Sequence, residues 1–386
     1  MHVLAIAPMP THAPTQGNRQ RALDLNRAFR AAGFKTTYLY WAAEGLTPAA
    51  LLEMQLTWDE VIVLDPTGFR EKRSFEQFYG IDDWYDQRIS KTIAQIISDR
   101  NIDVCVVNYV WMSKALEDLP HECIKIIDTH DLFGGRAQHF YNIGQRPEWF
   151  YTSVTEETKG LNRADIAIAI QDQEAVQLLA RTQAEVTTVG FLNAPAVRSR
   201  HPRTATDPIR VGYIASDNPM NVTSILAFCS ELEKAAPLNI ELIAAGPVCN
   251  VIRNIAGQPF KLLGLVNHLE DFYQQVDLVV NPMIGGTGLK IKTIEALAHR
   301  VGVIGTRDAF VGIASNFSAH NCSDPRDAVI ALTQATNSEK SLEELQAASV
   351  EVFNSYLNTQ RQSFSALLER ITILRQQRLM LLKHPA

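Results

Sequence analysis

Residues 276–306, VDLVVNPMIGGTGLKIKTIEALAHRVGVIGT, read as a buried strand, a glycine-rich loop, an amphipathic helix and a second buried strand. The apolar run Val276 to Val280 is too short for a helix and nearly free of polar residues, which suits a parallel strand covered on both faces. Gly285, Gly286 and Gly288 carry no Cβ, so the backbone there can turn sharply and approach a ligand. A helix expected from Gly288 or Leu289 would aim unpaired N–H groups and its positive dipole end at whatever sits over the loop. Phosphate suits that position, and Lys290 and Lys292 add cations beside it. Glu295 lies deeper in the same helix, about 10 Å from Gly288 at about 1.5 Å per residue. A carboxylate repels phosphate but accepts hydrogen bonds from hydroxyls. A nucleoside diphosphate with its phosphates at the helix start would bring its ribose to that depth. A dinucleotide fingerprint beginning at Gly286 needs glycine where Ile291 stands, and the P-loop needs Gly-Lys-Ser/Thr where the chain has Gly288-Leu289-Lys290. The plainer alternative is a glycine-rich turn with a solvated Glu295; loop and carboxylate together argue for a nucleotide.

The same strand, loop and helix unit recurs along the chain. Val3 to Pro8 reads as a buried strand, Thr11 to Arg19 as a polar loop, and Gln20 to Ala32 as a helix. Gly17 and Asn18 sit where a backbone can approach a ligand, with Arg19 and Arg21 just beyond; a surface loop with solvated arginines fits the local evidence equally well. Further strands are expected at Thr36–Tyr40, Val61–Leu64, Val104–Val107, Ile124–Ile127 and Ile166–Ile170, alternating with helical patterns. That alternation implies a doubly wound α/β domain, whose ligands lie at the carboxyl ends of its strands. At one such end stands Asp128-Thr129-His130-Asp131. His130 and Asp131 suit acid/base or electrostatic work, while a capping turn is the competing reading.

Between Thr188 and Pro208 the pattern breaks at Pro195, Pro202 and Pro208, which marks a linker. The expected organisation is a first domain over 1–190, a linker over 191–208, a second domain over 209–358 and a closing helix over 359–386. The second domain restarts with a strand at Arg210–Ile214, followed by Ser216 and Asn218, which either reach a phosphate or turn and cap the chain. Strands at Ile240–Ala244 and Leu262–Val266 and helices at Pro325–Thr336, Ser341–Tyr356 and Gln360–Leu382 complete it. The last helix carries Arg370, Arg375, Arg378 and Lys383 among leucines and isoleucines. That pattern fits peripheral contact with a membrane surface; an ordinary docked helix is the simpler reading.

Length and charge narrow the class. A chain of 386 residues implies two domains, and 46% hydrophobic with 20% charged residues is ordinary globular composition. A net charge of −6 argues against a nucleic-acid partner. The five scattered cysteines form no C-x-x-C pair, which supports neither a disulfide framework nor a zinc site and fits a reducing, cytoplasmic setting. No D-x-D pair occurs, and neither a metal nor a cofactor is expected.

The run Asn281-Pro282 … Gly286-Thr287-Gly288-Leu289-Lys290 … Lys292 … Glu295-Ala296-Leu297-Ala298 resembles the donor-binding signature of GT-B glycosyltransferases, family four in particular. The resemblance implies two Rossmann-like doubly wound parallel-sheet domains facing a cleft, with a C-terminal helix crossing back to the first. It implies that the loop holds a donor diphosphate and Glu295 its ribose, that Val266 lies against the nucleobase, and that Gly17, Asn18 and Arg21 approach the phosphates. His130 matches a histidine that contacts the donor sugar in that family, and Asp131 would serve as base if the reaction inverts. Two departures stand out. Thr287 replaces a usual glutamate, and no Lys or Arg lies between Val211 and Glu233, where the family often has one. The implied reaction moves a sugar from a nucleotide-diphosphate donor to an acceptor hydroxyl, with retention and without metal. A nucleotide-sugar 2-epimerase of the same fold, or an inactive nucleotide-sugar-binding relative, are the alternatives.

Overall fold

The structure, a computed structural model, describes residues 1–383 apart from Thr15, 143–146, Glu148, Ala196, Ala205, Ala256 and 286–287. The chain divides into two units, Met1–Leu192 with Gln360–Ala386, and Asn193–Thr359.

Unit 1 runs β1 (His2–Ala7), α1 (Gly17–Ala31), β2 (Lys35–Trp41), α2 (Pro48–Thr57), β3 (Glu60–Leu64), α3 (Gln87–Asp99), β4 (Val104–Asn108), β5 (Ile124–Asp128), α4 (Arg136–Asn142), α5 (Val154–Leu161), β6 (Ile166–Ala169), α6 (Asp172–Leu179) and β7 (Glu185–Thr188). Its sheet has the order β3-β2-β1-β4-β5-β6-β7, parallel throughout. Side chains alternate between two cores. Leu4, Ile6, Cys105 and Val107 enter one, with Trp41, Trp111 and Phe133, while Val3, Val104, Val106 and Ile126 enter the other, with Phe29 and Phe34. A strand buried on both faces has to be apolar at every position, which is why these runs were legible as parallel strands.

Unit 2 continues with β8 (Ile209–Ile214), α7 (Pro219–Leu232), β9 (Ile240–Ala245), α8 (Val248–Ile252), β10 (Phe260–Gly264), α9 (Leu269–Tyr273), β11 (Leu278–Asn281), α10 (Ile291–Ala298), β12 (Gly302–Gly305), α11 (Pro325–Thr336) and α12 (Glu339–Lys383). Its parallel sheet is ordered β10-β9-β8-β11-β12. Each sheet therefore reverses direction beside its first strand, between β1 and β4 and between β8 and β11. Open α/β sheets bind ligands at the carboxyl ends of such a pair.

Several boundaries differ from the sequence reading. β11 starts at Leu278, and the Asp277 carboxylate just before it accepts from the backbone N and Nε of Arg210. β10 ends at Gly264, whose φ of +72° leaves Val266 beyond the strand. The two helices expected at 341–356 and 360–382 form one, α12, since Leu357-Asn358-Thr359 contains no breaker. β7, a short polar edge strand, gave no apolar run to read.

The far part of α12 packs Phe364, Leu367 and Ile371 into the second core of unit 1, each stabilising by about 1.5–3 kcal/mol when fully buried. Its arginines bind unit 1's own groups. Arg370 meets Glu185 at 2.6 Å, Arg375 pairs with Asp103, and Arg378 pairs with Asp165 and donates to the carbonyls of His121 and Cys123. Three of the four basic residues named for this helix are thus paired with carboxylates and carbonyls of the fold. Among the described residues no helix is long and apolar enough to cross a membrane.

One residue in unit 2 carries avoidable strain. α10 ends in a Schellman motif, with Arg300 N bonded to Leu297 O and Val301 N to Ala296 O. That geometry places Arg300 at φ +57°, where glycine is usual. Left-handed strain of about 1–2 kcal/mol outweighs the extra chain entropy of glycine, about 0.5–1 kcal/mol. Arg300→Gly is therefore expected to stabilise unit 2 by about 0.5–1 kcal/mol, read from the denaturant midpoint of its far-ultraviolet dichroism. An unchanged or lowered midpoint would refute this.

Candidate functional site

The glycine loop follows β11 at the switch point of unit 2. Gly285 and Gly288 have φ of +138° and +71°, conformations that side chains rarely adopt. Left-handed Gly288 also explains why α10 begins at Ile291 and not at Gly288 or Leu289. Gly286 and Thr287, expected to hold the donor, lie outside the described residues. Leu289 and Lys290 are buried, and Lys290 Nζ donates to Gly288 O at 2.9 Å, bracing the loop. The first turn of α10 has no side-chain cap and no acidic residue, and Thr293 N already donates to Lys290 O, so the N–H groups of Ile291 and Lys292 are the ones placed for an anion.

Lys292 is the most informative group in this unit. Its Nζ donates to Asn221 Oδ1 at 2.6 Å, lies 3.1 Å from Met283 Sδ and sits 5.3 Å from the centre of the Tyr213 ring. These partners are all neutral. Burial, with a smaller contribution from Lys290, pushes its pKa down to about 7. A half-buried lysine held only by neutral groups gains its charge more readily when an anion arrives beside it. Asn221 in turn donates to Ser216 O and Oγ, tying the loop after β8 to α10. Ser216 is exposed beside this network. Asn218 is corrected: its Oδ1 accepts from Met220 N at 2.8 Å and caps α7. Val266 is half-buried, next to Leu265 at 74% exposure. Glu295 lies on α10, half-buried, and its charge acts on buried Tyr273. Asn281 closes β11 with its Nδ2 on Thr293 Oγ1, while its Oδ1 is buried without a partner.

In unit 1, the switch point gathers residues from three segments. α1 begins at Gly17, and Asn18 Nδ2 donates to the Tyr109 hydroxyl at 3.0 Å. Tyr109 and His130 follow the ends of β4 and β5 at φ of +73° and +58°, uncommon for residues other than glycine. Their rings stack at 4.3 Å, and Trp111 stacks on the other side of Tyr109 at 5.7 Å. Strain held this way tends to collect at functional sites. His130 Nε2 lies 2.8 Å from Asn108 Oδ1 and 3.3 Å from Asp128 Oδ2. Burial pushes its pKa down to about 4, against the opposing pull of Asp128, so the imidazole is neutral at pH 7. Asp131 accepts from Leu132 N and from Arg136 Nη1, each within 2.9 Å, and stays partly exposed.

Arg21 requires a correction. Expected near the donor phosphates, its guanidinium is instead buried against the fully buried Asp128, with Nε 2.8 Å from both carboxylate oxygens and Nη2 2.5 Å from Oδ1. Its Nη1 donates to Val189 O at 2.9 Å. Arg21 therefore holds the end of β5 in place. Sequence reasoning missed Asn108, Tyr109 and Asn221. One signal was available, because β4, β5 and β11 are largely apolar runs, interrupted only by Lys125 in β5, that each close on a polar residue, Asn108, Asp128 and Asn281.

Two parallel-sheet Rossmann-like units with these switch points define the architecture of GT-B glycosyltransferases. Residues 208–338, most of unit 2, match the family model described as glycosyl transferases group 1. Anabaena HepE, solved with UDP and glucose, superposes with a TM-score of 0.66 at 12% identity over 96% of this chain and 100% of its own. TarM does so at 0.68 and 11% identity, over 97% and 98%. The pneumococcal O-GlcNAc transferase GtfA, solved with UDP and GlcNAc, gives 0.65 and 10%, over 96% and 99%. At such identities these likenesses establish the fold. No curated protein matches the chain.

Proposed function

We propose that this protein transfers a sugar from a nucleotide-diphosphate donor to an acceptor hydroxyl. The observation that carries the proposal is Lys292, a half-buried lysine with neutral partners beside the uncapped start of α10 and a glycine loop. There the lysines and helix N–H groups would take up the charge developing on the departing diphosphate, which supplies without a metal what such a leaving group requires. Ser216 and the loop after β8 would complete the phosphate site, and Glu295 would hold the ribose hydroxyls. His130 and Asp131 in unit 1 act on the substrate. The UDP in the HepE and GtfA structures favours a uridine donor, and the resemblance to family four favours retention.

A thermal-shift panel of UDP-, GDP-, ADP- and TDP-sugars, followed by product analysis with and without acceptors, tests the reading. One class of donor is expected to raise the melting temperature, and Glu295→Ala to weaken its binding at least tenfold, the equivalent of about 1.4 kcal/mol. Absence of any shift would overturn the proposal. Interconversion of two nucleotide sugars without acceptor would replace transfer by epimerisation.

A further inference from the structure

The hydrogen bonds around His130 decide which of its nitrogens carries the proton. Asn108 closes β4 and is 3% exposed; its Nδ2 donates to the backbone carbonyl of Ile6 at 3.1 Å. A carbonyl only accepts, so the amide orientation is fixed and Oδ1 is the atom that faces His130. Oδ1 only accepts as well, and His130 Nε2 is 2.8 Å from it. The second neighbour of Nε2, Asp128 Oδ2 at 3.3 Å, is a carboxylate oxygen already engaged by Arg21. With acceptors on both contacts, Nε2 must be the N–H. In a neutral imidazole the other nitrogen, Nδ1, then carries a bare lone pair. Among the described residues Nδ1 makes no hydrogen bond, and it is not among the sealed polar atoms that lack a partner. The ring cannot turn to exchange its nitrogens, because the Tyr109 face lies 4.3 Å away and the Tyr109 hydroxyl is itself held by Asn18.

We infer that Asn108 is a positioning residue that locks His130 as the Nε2–H tautomer, so that Nδ1 is a neutral acceptor selecting a hydroxyl of the sugar substrate. A hydroxyl donates to that lone pair; a carboxylate at the same place meets it oxygen to nitrogen, with no proton between. The arrangement favours neutral, hydroxylated sugars over uronate-type ones at that position. The functional half of this inference rests on the transferase reading, while the tautomer itself does not.

Two measurements separate them. In the full chain labelled with ¹⁵N-histidine, long-range proton–nitrogen correlation is expected to show His130 with a protonated Nε2 and a bare Nδ1, unchanged from about pH 5.5 to 8; His130→Gln assigns the signals. In Asn108→Leu, similar in size but without an acceptor, that pattern is expected to break down into mixed tautomers. Turnover should fall about tenfold, roughly one misplaced hydrogen bond, with KM for the nucleotide sugar within about twofold of the parent. An Nδ1–H tautomer or an imidazolium at pH 7 in the parent protein overturns the lock, and this arm stands even if the leucine variant does not fold. A leucine variant with the parental tautomer and turnover overturns the role of Asn108. An intact lock in a protein that transfers no sugar would instead sink the transferase reading.

Discussion

Arg21→Ala is expected to destabilise unit 1 by about 3–5 kcal/mol, the usual result of stripping one partner from a buried ion pair. Asp128 is wholly buried and receives three of its contacts from Arg21, so the variant leaves a carboxylate in the core without its counter-charge. Arg21→Lys should rescue little. A point charge cannot reproduce a fork that also reaches Val189 O. Asp128→Asn in the Arg21→Ala background should recover part of the loss, because the orphaned charge is removed. The readout is direct, since all five tryptophans lie in Met1–Leu192 and their fluorescence reports unit 1. A loss below about 1 kcal/mol would mean that the pair is solvated and contributes as a surface bridge does. The variant also bears on the site. Arg21 lowers the pKa of His130 while Asp128 raises it, so removing Arg21 should move protonation of His130 towards neutrality.

Asp24→Asn is expected to act in the opposite direction, and only above acidic pH. Asp24 is 5% exposed, and one carboxyl oxygen has no partner. Burial pushes its pKa up to about 7 against the smaller opposing effects of Gln20, Arg27 and Arg21. A carboxyl that stays protonated in the fold but ionises when unfolded near 3.8 favours unfolding as pH rises between those values. Its contribution is fully present below about pH 4 and lost by about pH 7, with a ceiling of about 4 kcal/mol at about 1.4 kcal/mol per unit. Asparagine cannot ionise, and it can still accept from Gln20 Nε2, which lies 2.7 Å from Asp24 Oδ1. The variant should match the parent near pH 4 and exceed it by about 2–4 kcal/mol near pH 8, measured by tryptophan fluorescence in denaturant. Equal midpoints at both pH values would show that Asp24 is ionised and paired in the fold.

The parallel sheets were legible because burial on both faces leaves a largely apolar run, as in Val104–Val107 or, with Lys125 as its one polar member, Ile124–Ile127. The strand, the positive-φ Gly285 and Gly288 and the helix that carries Glu295 were legible because strand, glycines and helix come in fixed order along one stretch. Arg21 was not, since a charged residue early in a helix looks solvent-facing until its partner, 107 residues away, is placed beside it. Asn218 reads in sequence as a donor contact with a cap as the alternative, and its side chain caps α7. Asn108 and Tyr109 were invisible for a related reason. Their significance lies in what stands on the next strand, and register in a parallel sheet is set by packing across the whole unit.

Helix α12 has a consequence for how the protein is made. Phe364, Leu367 and Ile371 belong to unit 1 but follow unit 2 in the chain. During synthesis, residues 1–192 emerge without the cover that Phe364, Leu367 and Ile371 give the core holding Val3, Leu25, Phe29 and Ile168. That apolar surface stays open while all of unit 2 is translated, which is when a nascent chain is most prone to association. The first half to leave the ribosome is thus the last to be finished, and its completion reports that the other half has been made.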